Sequence, residues 1–124
     1  MKELTKAEEQ LMQHLWKLQK AYLKDIVEYY EEPKPAYTTI STVVNVLVKK
    51  KFVGFDLHGK SKHYYPLISK EEYSNQSVKS LIGNFFNNSY KQFASFFTSR
   101  KELSLDELKE IRSMIDQEIE KKKS

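Results

Sequence analysis

The sequence predicts a mainly α-helical α+β chain in two parts, an N-terminal domain over residues 1–68 and an all-α domain over 69–124. Three observations predict it. Apolar residues repeat at helical spacing through three successive segments that end at Lys51. The repeat then shortens to two, as Val53, Phe55 and Leu57 alternate with Gly54 and Asp56 ahead of a turn. From Ser69 the helical repeat returns and persists to the end of the chain.

The first helix is expected over Thr5–Leu18. Thr5 and Glu8 have the spacing of a capping box, and Leu11, Leu15 and Leu18 follow at helical intervals beside Met12 and Trp16. A shorter helix carries Leu23, Ile26, Val27 and Tyr30 on one stripe, and Pro33 and Pro35 stop it. The third runs from Tyr37 to Lys51. Ile40, Val43, Val44 and Leu47 fall on one face, with Thr38, Ser41, Thr42, Asn45 and Lys49 opposite. That second face holds no acid and almost no long side chain. Short hydroxyls and an amide, with Thr39 at the start, let a helix sit deep in a major groove and meet base edges. Lys49 and Lys50 at its end would reach phosphates.

Two helices joined by a tight proline-containing turn, the second with such a face, read as a helix-turn-helix. The hairpin turns at His58-Gly59-Lys60-Ser61, and Tyr64, Tyr65 and Leu67 return towards Pro66. Three helices followed by a hairpin with a basic tip make a winged helix. Lys60 and Lys62 on the wing would then touch phosphate beside the third helix.

Charge agrees with this reading. The chain carries a net +4, but Pro33–Ile68 holds six lysines and one acid, Asp56, for +5, which leaves −1 elsewhere. Positive charge gathered on one segment is the footprint of a nucleic-acid binder. With no cysteine, disulfides, thiolate metal sites and cysteine nucleophiles are excluded. The charged start lacks an apolar leader and no apolar run reaches membrane-spanning length, so a cytoplasmic protein without membrane insertion is expected.

The C-terminal part opens with a second capping box, Ser69 to Glu72, on a helix reaching about Phe86. Asn87-Asn88-Ser89 breaks it, a short helix carries Tyr90, Phe93, Phe96 and Phe97, and a third box, Ser104 to Glu107, starts the last helix. That helix bears Leu108, Ile111, Ile115 and Ile119 on one face. A segment this short buries little by itself, yet six aromatics lie between Phe85 and Phe97. A homodimer interface is expected over Phe85, Phe86, Phe93, Phe96, Phe97, Leu108, Ile111 and Ile115.

In this order the motifs resemble the BlaI/MecI/CopY (penicillinase repressor) family of bacterial transcription regulators. Leu4-Thr5-x-Ala7-Glu8-x-x-x-Met12-x-x-Leu15-Trp16 is similar to its first helix. Tyr37-Thr38-Thr39-Ile40-Ser41-Thr42, followed by Leu47-x-Lys49-Lys50, is similar to its recognition helix. Gly59-Lys60 with Tyr64-x-Pro66 resembles its wing, and Leu103-Ser104-x-Asp106-Glu107-Leu108 the start of its final helix. The resemblance implies a dimeric repressor on double-stranded operator DNA with inverted TACA/TGTA half-sites. It also implies induction through a membrane sensor–protease pathway that ends in cleavage of the dimerisation domain, at the position of the Phe96–Phe97 bond. Three features depart from the family pattern. Val46 stands where members often carry arginine, Phe96 stands where the resistance repressors have asparagine, and the cysteines of the copper-sensing members are missing.

Other chemistry is poorly supported. His14 is expected on the surface of the first helix, and His58 and His63 share the hairpin without the three or four ligands zinc needs. His58 at the wing tip is a further candidate for phosphate. No glycine-rich phosphate loop, Ser/His/Asp order or paired carboxylates appear, so neither an enzyme nor a cofactor is expected. The competing reading is a winged helix used only to bind protein. Such a module has no need to keep acids off its third helix or to place lysines on its wing.

Overall fold

The computed structural model describes residues 3–124. The elements are α1 (Lys6–Leu18), β1 (Ala21–Tyr22), α2 (Leu23–Tyr29), α3 (Tyr37–Lys49), β2 (Val53–His58), β3 (Ser61–Pro66), α4 (Lys70–Phe85), α5 (Tyr90–Thr98) and α6 (Leu105–Lys123). This is the winged helix followed by helices that the sequence predicts. The chain divides into two units, one ending at Val78 and the other starting at Lys79.

In the first unit α1 starts as its capping box requires. Glu8 N–H donates to Thr5 Oγ1 at 3.2 Å, and Thr5 N–H donates to Glu8 Oε1 at 2.9 Å. The core is contributed by every element: Leu11, Met12 and Leu15 from α1, Ile26 from α2, Ile40, Val44 and Leu47 from α3, and Phe52, Val53, Tyr64 and Ile68 from the wing and its flanks. These side chains are almost wholly withdrawn from water, and burial of each large aliphatic contributes about 1.5–3 kcal/mol.

Helix α3 ends in a Schellman turn. Lys51 takes the left-handed conformation with φ 67°. Phe52 N–H then donates to the Leu47 carbonyl at 3.0 Å and Lys51 N–H to that of Val48 at 3.1 Å. This turn drives Phe52 into the core and launches the wing. β2 and β3 pair antiparallel from Val53 opposite Pro66 to His58 opposite Ser61. The two-residue turn has Gly59 at φ +65°, which its missing Cβ allows.

The sequence reading missed β1. Ala21 and Tyr22 pair with Tyr64 and His63, so the sheet has three strands in the order β1-β3-β2. Two residues cannot show a period, and only pairing with β3 makes them a strand. Along β2, burial fades towards the tip, and Leu57, on the apolar side of the alternation, is 64 % exposed because the hairpin outruns the core beneath it.

The division between units falls inside α4 rather than at Ile68, because the first turns of α4 pack on the winged helix. Tyr73 donates its hydroxyl to Glu9 Oε2 at 3.0 Å, receives the Leu4 N–H at 3.3 Å, and sets its ring 6.1 Å from those of Trp16 and Phe52.

The second unit holds the rest of α4 with α5 and α6. Asn87 and Asn88, both at positive φ, turn the chain after α4. Ser89 and Ser104 cap the two helices that follow. Among the described residues of this unit Ile82 alone is fully buried. Phe86, Phe93, Phe96 and Phe97 touch one another at ring separations of 5.4–6.0 Å. Phe85, Phe96, Met114, Ile115 and Ile119 remain exposed. No described helix is long and apolar enough to cross a membrane.

Candidate nucleic-acid interface

Burial of Ile40, Val44 and Leu47 fixes how α3 is rotated on the core, and so fixes its outward face. Thr38, Thr39, Thr42, Asn45 and Lys49 are exposed, with Ser41 half-buried at the edge. Val43, assigned to the core face, is only half-buried, as are Val46 and Val48. Val46 therefore flanks Thr42 as an apolar border to the polar face. The Thr42 hydroxyl donates to the Thr38 carbonyl at 2.9 Å, which leaves its oxygen lone pair and its methyl facing outward. Such a side chain can accept a hydrogen bond or touch a thymine methyl, but its proton is already used.

Lys50 corrects the sequence reading. Expected at a phosphate, its ammonium instead lies 2.8 Å from Glu8 Oε1, with the two side chains only 23 % and 9 % exposed. A charge held by a nearly buried carboxylate is not available to an external anion. Burial opposes ionisation of Glu8, but the Lys50 ammonium and the Thr5 N–H more than compensate and hold its carboxyl below the ordinary glutamate value. The pair ties the last turn of α3 to the first turn of α1. Lys49, one residue earlier, points outward.

On the wing Lys60 is exposed at the turn, and the Lys62 ammonium rests 4.6 Å from the centre of the Phe55 ring. The only acid of the basic segment, Asp56, is neutralised by Lys20 at 3.2 Å. His58, expected as a phosphate contact, has its Nδ1 2.8 Å from the Tyr22 hydroxyl, and the His63 ring stacks on Tyr22 at 4.5 Å. The two histidines thus lock the hairpin to β1. Among the described residues no set of three His, Cys, Asp or Glu side chains could hold a metal ion.

His14 is also corrected. It is half-buried, with its ring 4.4 Å from Tyr30 and 5.1 Å from Tyr29, and its Nε2 is sheltered without a hydrogen-bond partner. Burial lowers its basicity and the nearby Lys17 lowers it further, against a weaker opposing effect of Glu31. The end of α2 and its C-cap bring Tyr29 and Tyr30 back over α1, a contact that helical spacing within α1 alone could not reveal.

An open cleft of about 540 Å³ separates the wing from the starts of α2 and α3, and Lys24, Tyr37, Lys60 and Lys62 stand at its walls. Sequence reasoning missed Lys24 and Tyr37, since only the folded sheet brings α2 to the wing.

The Penicillinase repressor family profile matches residues 4–117. The chain is 25 % identical over 115 residues to the methicillin resistance regulatory protein MecI of Staphylococcus aureus (strain N315), covering 92 % of this chain and 94 % of that protein. It is 24 % identical to MecI of Mammaliicoccus sciuri over the same coverage. A chain of the Giardia lamblia Hop2-Mnd1 complex superposes with a TM-score of 0.36 at 14 % identity, over 94 % of this chain and 82 % of that one. The family match spans both units and all four sequence motifs, and this chain belongs to the penicillinase repressor family of transcriptional regulators.

Proposed function

We propose that the chain represses transcription as a homodimer on a palindromic operator, each copy laying α3 in the major groove. Thr38, Thr39, Ser41, Thr42 and Asn45 face base edges, while Lys49, Lys60 and Lys62 face phosphates. The observation that carries this reading is the outward face of α3, which is free of acids and whose first residue, Tyr37, shares a cleft with the wing lysines. The dimer forms through the second unit, where Phe85, Phe96 and the Met114, Ile115, Ile119 side of α6 remain exposed in one copy. Two half-sites about one helical turn apart suit two linked winged helices. Such a protein works in the cytoplasm, beside its DNA.

Relief of repression follows from loss of the dimer, through cleavage at the Phe96–Phe97 bond downstream of a membrane sensor–protease. That bond lies in the last part of α5, with Phe96 54 % exposed and Phe97 half-buried. A protease needs an extended chain, so cleavage requires this end of α5 to unwind first.

A fluorescence titration of duplex DNA over a range of salt tests the DNA reading. Lys60→Ala is expected to weaken all duplexes alike and to reduce the salt slope by about one unit. An unchanged slope, or a wild-type protein that binds no duplex at low salt, overturns it.

A further inference from the structure

We propose, resting on the DNA reading above, that the cleft between the wing and the starts of α2 and α3 is a phosphodiester subsite, with Lys24 and Tyr37 as positioning residues for one strand of the operator. Its three ammonium groups come from three elements: Lys24 from α2, Lys60 from the turn and Lys62 from β3. No carboxylate lines it. Three like charges around one opening repel each other, and an entering phosphate relieves that repulsion.

The adjacent backbone points the same way. Tyr37 is the first residue of α3 and is 55 % exposed at the cleft wall. Its N-cap, Ala36, offers no side chain to the free N–H groups of the first turn. The mouth is also held at a set width. The Tyr22 hydroxyl bonds His58, and the Tyr22 ring stacks on His63, so the wing cannot swing freely from α2. An open cleft that shares Tyr37 with the reading helix suits a continuous strand better than a small free ion. The strand that passes α3 would place a phosphate here, and the contact fixes the depth and angle at which α3 enters the groove.

The test uses the full chain and a set of operator duplexes, each with one phosphate replaced by a neutral methylphosphonate. The wild-type protein is expected to lose about three- to tenfold in affinity at one particular position. Lys24→Gln should be indifferent to substitution at that position and should show a salt slope lower by about 0.9. Lys24→Arg should restore both. Tyr37→Phe should weaken sensitivity at the same or the adjacent phosphate, and it carries the comparison should Lys24→Gln melt earlier than wild type. The proposal is overturned if every methylphosphonate weakens Lys24→Gln as much as wild type. It is equally overturned if inorganic phosphate at matched ionic strength competes selectively while no methylphosphonate position matters, because the cleft would then be a free-anion site. Failure of the wild-type protein to bind any duplex would instead refute the DNA reading, a distinct result.

Discussion

Replacing Glu8 by alanine should destabilise the first unit severely, although Glu8 is a charged residue outside the apolar cluster. The carboxylate has two tasks. It receives the Thr5 N–H at 2.9 Å, and it holds the Lys50 ammonium at 2.8 Å. Losing the capping half costs about 0.5–1 kcal/mol. The ion pair lies between two limits, about 0–1 kcal/mol for exposed pairs and about 3–5 kcal/mol for breaking a fully buried one. With side chains 9 % and 23 % exposed, a contribution near 2 kcal/mol is about right. Together these give about 2–3 kcal/mol, which for a unit of this size lowers Tm by about 10–15 °C. Glu8→Gln retains an oxygen for Thr5 but no charge for Lys50, and should fall midway.

The linkage to pH has a definite sign. The folded carboxyl titrates below its unfolded value of about 4.3. Its contribution is therefore complete above that pH and is lost as pH falls through the lower, folded value. Thermal melts of wild type, Glu8→Ala, Lys50→Ala and the double variant at neutral pH, repeated in acid, check this. A coupling energy near zero, or a wild-type acid transition unchanged in Glu8→Gln, would refute the reasoning.

Three further outcomes are expected. His14 is harder to protonate folded than unfolded, so stability present above about pH 6.5 should decline as pH falls below it; His14→Phe should flatten the dependence of Tm on pH between about 7 and 5, and an unchanged curve would count against the burial argument. Asn45→Ala should relax base preference at one operator position by about 1–3 kcal/mol, seen as a titration against single-base variants, while leaving the salt slope unchanged. Intact-mass analysis of the protein from induced cells should reveal a product ending at Phe96, whereas uncleaved protein released from its operator would rule out cleavage at that bond.

Local signals in the sequence were decisive where a structure is made locally. The boxes at Thr5, Ser69 and Ser104 depend on residues three apart, and all three form. The hairpin was legible because Gly59 supplies the turn and the alternation supplies the strands. What failed depended on distant partners. Which of Lys49 and Lys50 stays free is decided by Glu8, 42 residues before Lys50. His14 is half-buried only because α2 folds Tyr29 and Tyr30 over it. β1 exists only as a neighbour of β3, and Lys24 reaches the wing only through that pairing. The exposed face of α3 follows the sequence pattern, and the departure is Val43, assigned to the core face yet only half-buried.

In the proposed function two linked copies of this chain read one palindrome. The most direct measurement is sedimentation of the full chain with a labelled duplex carrying two inverted half-sites, beside a duplex carrying one. Two chains are expected on each palindromic duplex, with an affinity for the single half-site lower by about 10²-fold or more, since linkage raises the effective concentration of the second winged helix to about millimolar. One chain per duplex, bound equally tightly to both DNAs, would contradict it.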